Sequence, residues 1–192
     1  MGASELKGIV NIQSSMISDD EFLKAELSMG IGFHSKEFTA LCMHTVEQIK
    51  EYNIKTVLDY GSGTGVYAES YRLQGYDAYA YEIWYAHRKY IRENAPHLKI
   101  VEQPITTDLL HFIETAEHMT DEELNNLFAI INPTYILFSS TSQRTDWDAA
   151  WGHINIKTQD EWIRYFNDIG YSMIRELRLP THYTKLFRYE RN

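Results

Sequence analysis

The residues whose types and spacing bear most directly on chemistry are Asp59-Tyr60-Gly61-Ser62-Gly63-Thr64-Gly65 and, 21 residues beyond Gly61, Glu82. The loop follows an apolar run, Val57-Leu58, and runs into a segment of helical periodicity. Its glycines let the chain turn sharply and let a ligand lie against bare backbone. Glu82 falls at the predicted end of the second strand, where a carboxylate accepts hydrogen bonds from both hydroxyls of a ribose. Three fingerprints compete. A dinucleotide loop needs glycine at its first, third and sixth positions, and Val66 holds the sixth. A phosphate-binding loop needs a Gly-Lys-Ser/Thr ending, which is missing. The remaining pattern, D-x-G-x-G-x-G, sets an acid just before the bend and suits a ligand with cationic centres and no phosphate. Acidic groups attract those cationic centres and would repel a pyrophosphate. A plain glycine turn is the bland alternative, but strand, loop, helix and spaced acid agree on a ligand.

The elements that must position these groups alternate along the chain. Residues 1–17 are expected to be a loose arm, and residues 18–192 one domain. Within it, 18–54 supply N-terminal helices and 55–192 a Rossmann-like core. Ser18-Asp19-Asp20-Glu21 is a capping box that starts a short helix, which stops near Met29-Gly30. A second helix starts after Ser35, with Phe38, Leu41, Cys42, Val46 and Ile49 at helical spacing. Strands are predicted at 56–59, 77–83, 98–102, 109–114 and 135–138. Helices follow the glycine loop, span Tyr85 to Asn94, and start at the capping boxes Thr120–Glu123 and Thr158–Glu161. Gly75, Pro96, Pro133 and Gly170 end elements. Two last strands, 172–179 and 183–189, are joined too tightly for a helix between them and should pair antiparallel. Alternation of strand and helix implies a mostly parallel sheet covered on both faces, with ligands beyond the carboxyl ends of its strands.

The bulk numbers bound the rest. A chain of 192 residues, 44% hydrophobic, can bury one substantial core. A net charge of −9, with no dense run of Lys and Arg, disfavours nucleic acid as a partner. Cys42 is the single cysteine, so there is neither a disulfide framework nor a cysteine-based zinc site. No apolar run reaches membrane-spanning length, and the first twenty residues lack a signal-peptide pattern. Met1-Gly2 suggests myristoylation, but Leu6 stands where that motif needs Ser or Thr. A cytoplasmic protein without membrane association is expected, with monomer and homodimer both open.

From about Phe33 to the C-terminus, the order of these motifs resembles the class I S-adenosylmethionine-dependent methyltransferases. The likeness is to the group with a ubiquinone-biosynthesis-type or cyclopropane-synthase-like core. It implies a seven-stranded Rossmann-like α/β sheet in the order 3-2-1-4-5-7-6, with strand 7 antiparallel. It also implies S-adenosylmethionine as cofactor, S-adenosylhomocysteine as product, and a small-molecule acceptor methylated at O, N or C. Asp59, Tyr60, Gly61, Ser62, Gly63, Gly65, Glu82 and Ile83 become cofactor-binding residues. Asp108 to His118 is similar to the group's fourth strand and its Glu-x-x-Glu-His exit. That places Glu114 near the methionine end of the cofactor and His118 at the start of the next helix; the bland alternative, preferred for His118, is that Glu117 and His118 merely cap and orient that helix. The chain departs at Pro104, where the group commonly has an acid for the adenine amino group, so backbone near Ile105 is expected to take that part. Asn132-Pro133-Thr134-Tyr135 looks like the base-binding box of amino-methyltransferases, but it precedes the fifth strand rather than ending the fourth, and is a helix stop.

The acceptor is expected near the segment after strand five, which carries Trp147, Trp151 and His153. Large aromatics there read as a substrate wall, or as a loop that buries its own tryptophans. His153-Ile154-Asn155 resembles a His-x-His/Asn segment of the group, so His153 is a candidate general base or, equally, an anchor for the loop. Phe33, His34 and Tyr183 are the other candidates for the acceptor pocket. His111 and Glu114 lie at odd spacing on one strand, and no His-Glu-x-x-His helix occurs, so no metal is expected. Two rival functions remain: a non-catalytic cofactor-binding subunit of a partner, and a methyltransferase acting on RNA or protein.

Overall fold

The computed structural model describes residues 18–142 and 151–190. Helices α1 (Asp19–Ser28) and α2 (Lys36–Glu47) precede strand β1 (Thr56–Tyr60). Then follow α3 (Val66–Leu73), β2 (Asp77–Tyr81), α4 (Tyr85–Asn94), β3 (Lys99–Val101) and β4 (Leu109–Ile113). After a 3-10 turn at Ala116–His118 come α5 (Asp121–Ile130), β5 (Tyr135–Ser139), α6 (Gln159–Asp168), β6 (Tyr171–Glu176) and β7 (Lys185–Tyr189). All three capping boxes form: Ser18, Thr120 and Thr158 each accept the amide three residues on, and the glutamate there reaches back.

The seven strands lie in the order β3-β2-β1-β4-β5-β7-β6. The first five run parallel, and β7 runs antiparallel between β5 and β6. This is the sheet that the resemblance implies. β6 ends at Glu176 and β7 begins at Lys185, so the terminal strands are shorter than predicted, with a turn over 177–184 between them.

The register explains why both faces are greasy. Val57, Leu109 and Leu137 point to one side, among Val46 of α2, Ile49 just after it, Tyr71 of α3 and Ile91 of α4. Leu58, Leu110 and Ile136 point to the other, against Leu124 and Leu127 of α5 and Phe166 of α6. Successive side chains of a strand face opposite ways, so a strand buried on both sides must be apolar throughout. Phe166 and Tyr71 are fully buried, and truncating a core ring of this kind costs about 3–5 kcal/mol. Helix α1 differs from the rest: none of its residues is buried. Polar contacts and ring edges hold it over the carboxyl ends of the parallel strands.

Candidate functional site

β1 ends in backbone of an unusual kind. Gly61, Gly63 and Gly65 all have positive φ, at 70°, 50° and 79°. The amides of Gly61 and Ser62 donate to the Tyr81 carbonyl at 2.9 and 3.1 Å, tying the loop to the end of β2. A Cβ on Gly61 would lie 2.4 Å from Cγ2 of Thr115, and one on Gly65 would lie 2.7 Å from Ile91. Gly61 therefore admits the β4 exit, and Gly65 admits α4. Gly63 faces open space except for Glu26 at 3.4 Å, which leaves its backbone available to a ligand.

Glu82, just past β2, is buried. One carboxylate oxygen accepts the Gly63 amide at 2.8 Å and the other the Trp84 amide at 2.9 Å. Burial raises its pKa, opposed by nearby His87 and by those two amides. Asp59 behaves differently. It does not line the cleft: its Oδ2 accepts the Ala68 amide at 3.0 Å, in the first turn of α3, where the helix dipole favours a carboxylate. Its other oxygen is 3.8 Å from Nε2 of His111, whose Nδ1 sits 3.0 Å from the Tyr71 hydroxyl. Burial pushes Asp59 up to about 8 and His111 down to about 3. Both shifts favour the uncharged forms and so work against an ion pair across that 3.8 Å. The acid expected to attract a cationic ligand instead fastens the loop to its helix.

The main cleft lies over these groups, with about 720 Å³ of space that opens to solvent. Tyr60, Gly61, Gly63, Glu82 and Ile83 line it from the ends of β1 and β2, and Glu114, His118 and Trp151 from the β4 exit and the segment after β5. Helix α1 roofs it. Glu26 Oε2 lies 2.7 Å from Nε2 of His87, Asp19 Oδ1 lies 3.4 Å from Nδ1, and Asp19 Oδ2 accepts the Ala86 amide at 2.9 Å. Burial would lower the pKa of His87, but the hydrogen bond and charge of Glu26, with Glu82 and Asp19, outweigh it and the pKa is raised. Phe22 of α1 meets the rings of Trp84 and Trp151 at 5.0 and 4.9 Å. A second cleft shares Gly61, Gly63 and Glu114 with the first and extends to Tyr67 and Thr181.

A further part of the cleft wall is built from the β4 exit. Glu114 has φ 48°, a left-handed conformation rare outside glycine. Its carboxylate accepts the Ser139 hydroxyl at 2.6 Å. Thr115 donates to the carbonyls of Ile113 and Tyr60 at 3.0 and 3.2 Å, locking the turn under Gly61. Glu117 is fully buried, and its Oε2 accepts the Ser140 hydroxyl at 2.9 Å. Burial first, then the Glu114 carboxylate, raises its pKa well above the ordinary value. Its carbonyl accepts the amides of Ile154 and Asn155 at 2.8 and 2.9 Å, so the segment after β5 docks here. His153 thereby reaches His118, with ring centroids 4.7 Å apart. Burial, then the His153 ring, lowers His118 to about 4.

The remaining expected residues scatter. Ile105 packs against the core on the α5 side and is not in the cleft wall. Phe33 stacks on Tyr90 at 6.0 Å and belongs to the core on the α2 side. His34 is exposed, and Tyr183 packs on His182 at 3.9 Å, with neighbouring Thr181 reaching the second cleft instead. Trp151 is in the main cleft wall. His153 lies beside His118, which is in that wall. Trp147 lies outside the described residues. Sequence reasoning missed Phe22, Glu26, His87 and Thr115. Helical spacing shows that Glu26 and His87 sit on helices, but not that α1 and α4 face each other.

A family model described as a methyltransferase domain matches residues 33–187. No curated protein matches the sequence. Among solved structures, the pyocyanin biosynthetic protein PhzM is similar at 14% identity, over 92% of this chain, with a TM-score of 0.63. The chain spans 62% of the length of PhzM. An S-adenosylmethionine-dependent methyltransferase from Archaeoglobus fulgidus is similar at 16% identity, over 82% of this chain and 79% of its own, with a TM-score of 0.58. CalS10, an amino pentose methyltransferase from Micromonospora echinaspora solved with S-adenosylmethionine, is similar at 12% identity and a TM-score of 0.57, over 80% of this chain and 91% of its own. At these identities the likeness is one of fold.

Proposed function

We propose a reaction from one premise: this chain belongs to the methyltransferase-domain family, as a class I S-adenosylmethionine-dependent enzyme. The proposed reaction is methyl transfer to an oxygen, nitrogen or carbon atom of a small-molecule acceptor. When bound, the cofactor supplies a methyl group already activated by its sulfonium. What remains for the protein is to hold the acceptor in line and to exclude water.

The residues fit that cofactor. The loop offers bare main chain at Gly61 and Gly63 and no lysine for a phosphate, and Glu82 holds a buried carboxylate at its edge. In this reading Glu82 takes the ribose hydroxyls, and Tyr60 to Gly63 present their backbone. Ile83 lies on the adenine side, and Glu114 faces the methionine end. Asp59 and Gly65 act at one remove, by fixing α3 and α4 around the loop. Ile105 lies outside the cleft wall, which favours Ile83 over it as the adenine contact. A cleft roofed by Phe22, Trp84 and Trp151 suits a small acceptor with an apolar or planar body. The acidic charge, −9, counts against a nucleic-acid substrate.

The observation that carries the reading is the convergence of Gly63, Glu82 and Glu114 on one cleft. Calorimetry with S-adenosylhomocysteine tests it. Binding should be saturable, one per chain, and should fall at least about 100-fold in Gly63→Arg, whose side chain fills the space that the glycine leaves. No binding by the unaltered protein, or undiminished binding by the variant, overturns the proposal.

A further inference from the structure

We propose that Glu117, His118 and His153 form a binding site for a divalent first-row metal cation at the acceptor end of the cleft. One ligand atom from each, a carboxylate oxygen and two imidazole nitrogens, lies within 4.8 Å of the other two. Two ligands on opposite sides of one such ion are at most about 4.2 Å apart, given metal–ligand bonds of about 2.1 Å. At tetrahedral angles the ligand atoms stand about 3.4 Å apart, so side-chain rotations of up to about 1.4 Å close the set. Two imidazoles and a carboxylate are a donor set for zinc, manganese or iron rather than for calcium.

Three further observations point to a ligand here and not to a chance cluster. Glu117 is fully buried, and no hydroxyl or amide among the described residues donates to its Oε1, while the acidic Glu114 side chain crowds the same carboxyl. A buried carboxylate oxygen left so is costly, and a cation would satisfy it. Its other oxygen is fixed by the Ser140 hydroxyl at 2.9 Å, the outer support expected of a metal carboxylate. The third ligand is brought in deliberately by main chain: the amides of Ile154 and Asn155 both donate to the Glu117 carbonyl, and the Asn155 side chain donates to the Met119 carbonyl at 2.9 Å. Those bonds tie the segment that carries His153 to the turn that carries the other two ligands.

The cation has somewhere to act. His118 and Glu114 both face the main cleft, and Glu114 stands one turn of chain before Glu117. Open coordination positions on that side would accept an oxygen of the acceptor, a hydroxyl or a carboxylate. This last point rests on the proposed methyltransferase reaction, whereas the metal site does not. The sequence reading expected no metal because it sought ligands within one helix or strand. Here the fold joins two adjacent residues to a third 35 positions later.

The test uses the full chain, freed of metal with a chelator and titrated by calorimetry with Mn²⁺ and with Zn²⁺. The same samples are then titrated with S-adenosylhomocysteine. Mn²⁺ or Zn²⁺ should bind once per chain and raise the unfolding temperature. His153→Ala and Glu117→Gln should each weaken that binding at least about tenfold. Retained S-adenosylhomocysteine binding by a variant reports that it is folded, and either folded variant suffices for the comparison. The proposal is overturned if neither metal saturates the unaltered protein by about 1 mM, the weak end of biological cation sites. Equal affinity in a folded variant also overturns it. Metal binding without S-adenosylhomocysteine binding would instead sink the methyltransferase reaction and leave the metal site standing.

Discussion

The cleft is walled by two stretches of left-handed backbone, and they meet the same steric demand in opposite ways. After β1 the chain turns through Gly61, Gly63 and Gly65, residues with no Cβ to clash. After β4 it turns at Glu114, a residue that accepts the unfavourable conformation and keeps a carboxylate. At the first wall a side chain is excluded, by Thr115 at Gly61 and by Ile91 at Gly65, and Gly63 leaves its backbone open to the cleft. At the second the side chain is the useful part, and strain of this kind is tolerated where surrounding structure enforces it. Thr115 supplies that enforcement, packed under Gly61 and bonded to the Tyr60 carbonyl.

The largest test of this contrast is Gly61→Ala. The left-handed φ costs about 1–2 kcal/mol, and the new methyl meets Thr115, adding about 1–3 kcal/mol. Urea denaturation should show a loss of about 2–5 kcal/mol. In a double-mutant cycle, adding Thr115→Ala should recover the packing share and leave the backbone share. A cycle with no coupling would mean that close approach is not what demands glycine there.

A smaller effect is expected at the other wall. Glu114→Gly and Glu114→Ala both remove the carboxylate, but only glycine relieves the backbone. The glycine variant should be more stable by about 1 kcal/mol, after its greater unfolded-state entropy is counted. Alanine matching or exceeding glycine would erase the contrast between the walls.

The smallest effect is on pH dependence, which the buried groups around the two walls set with opposite signs. Asp59 and His87 have folded pKa values above their unfolded ones. Each contributes stability that is present at low pH and lost as pH rises through the folded value, about 8 for Asp59. His111 is shifted down to about 3, so its contribution is present above its unfolded value and lost as pH falls toward 3. Between about pH 4 and 6.5 the Asp59 and His111 contributions oppose each other, and above about 6.5 Asp59 and His87 act together, so the unfolding temperature should fall from about pH 6.5 to about 8. Asp59→Asn should flatten that fall, and His111→Asn should extend it down to about pH 4. An unchanged fall in Asp59→Asn would place the titrating group elsewhere.

The contrast between the walls also marks what the amino-acid order reveals. Capping at Ser18, Thr120 and Thr158, the glycine loop and Glu82 depend on neighbours within one strand-loop-helix unit, and all are legible. The strand order follows from the family resemblance and matches the structure. The destination of Asp59 is not legible, because the D-x-G-x-G-x-G pattern does not say whether its acid faces the ligand or the helix. The pairing of Glu117 with His153 is made by main-chain hydrogen bonds between distant segments, which leave no trace in residue types. The same is true of α1 over α4. Ile105 and Phe33 lie half-buried against the hydrophobic core and outside both cleft walls, a placement that an apolar residue type by itself does not reveal.

Helix α1 covers the cleft without burying a single residue fully. Its attachment runs through Asp19 and Glu26 to one imidazole, together with the edge of the Phe22 ring. Phe22 also packs on Trp84, and Phe22, Leu23 and Leu27 are half-buried, so releasing this helix bares apolar surface as well as breaking charged hydrogen bonds. Heat capacity and proton uptake should therefore both register its release.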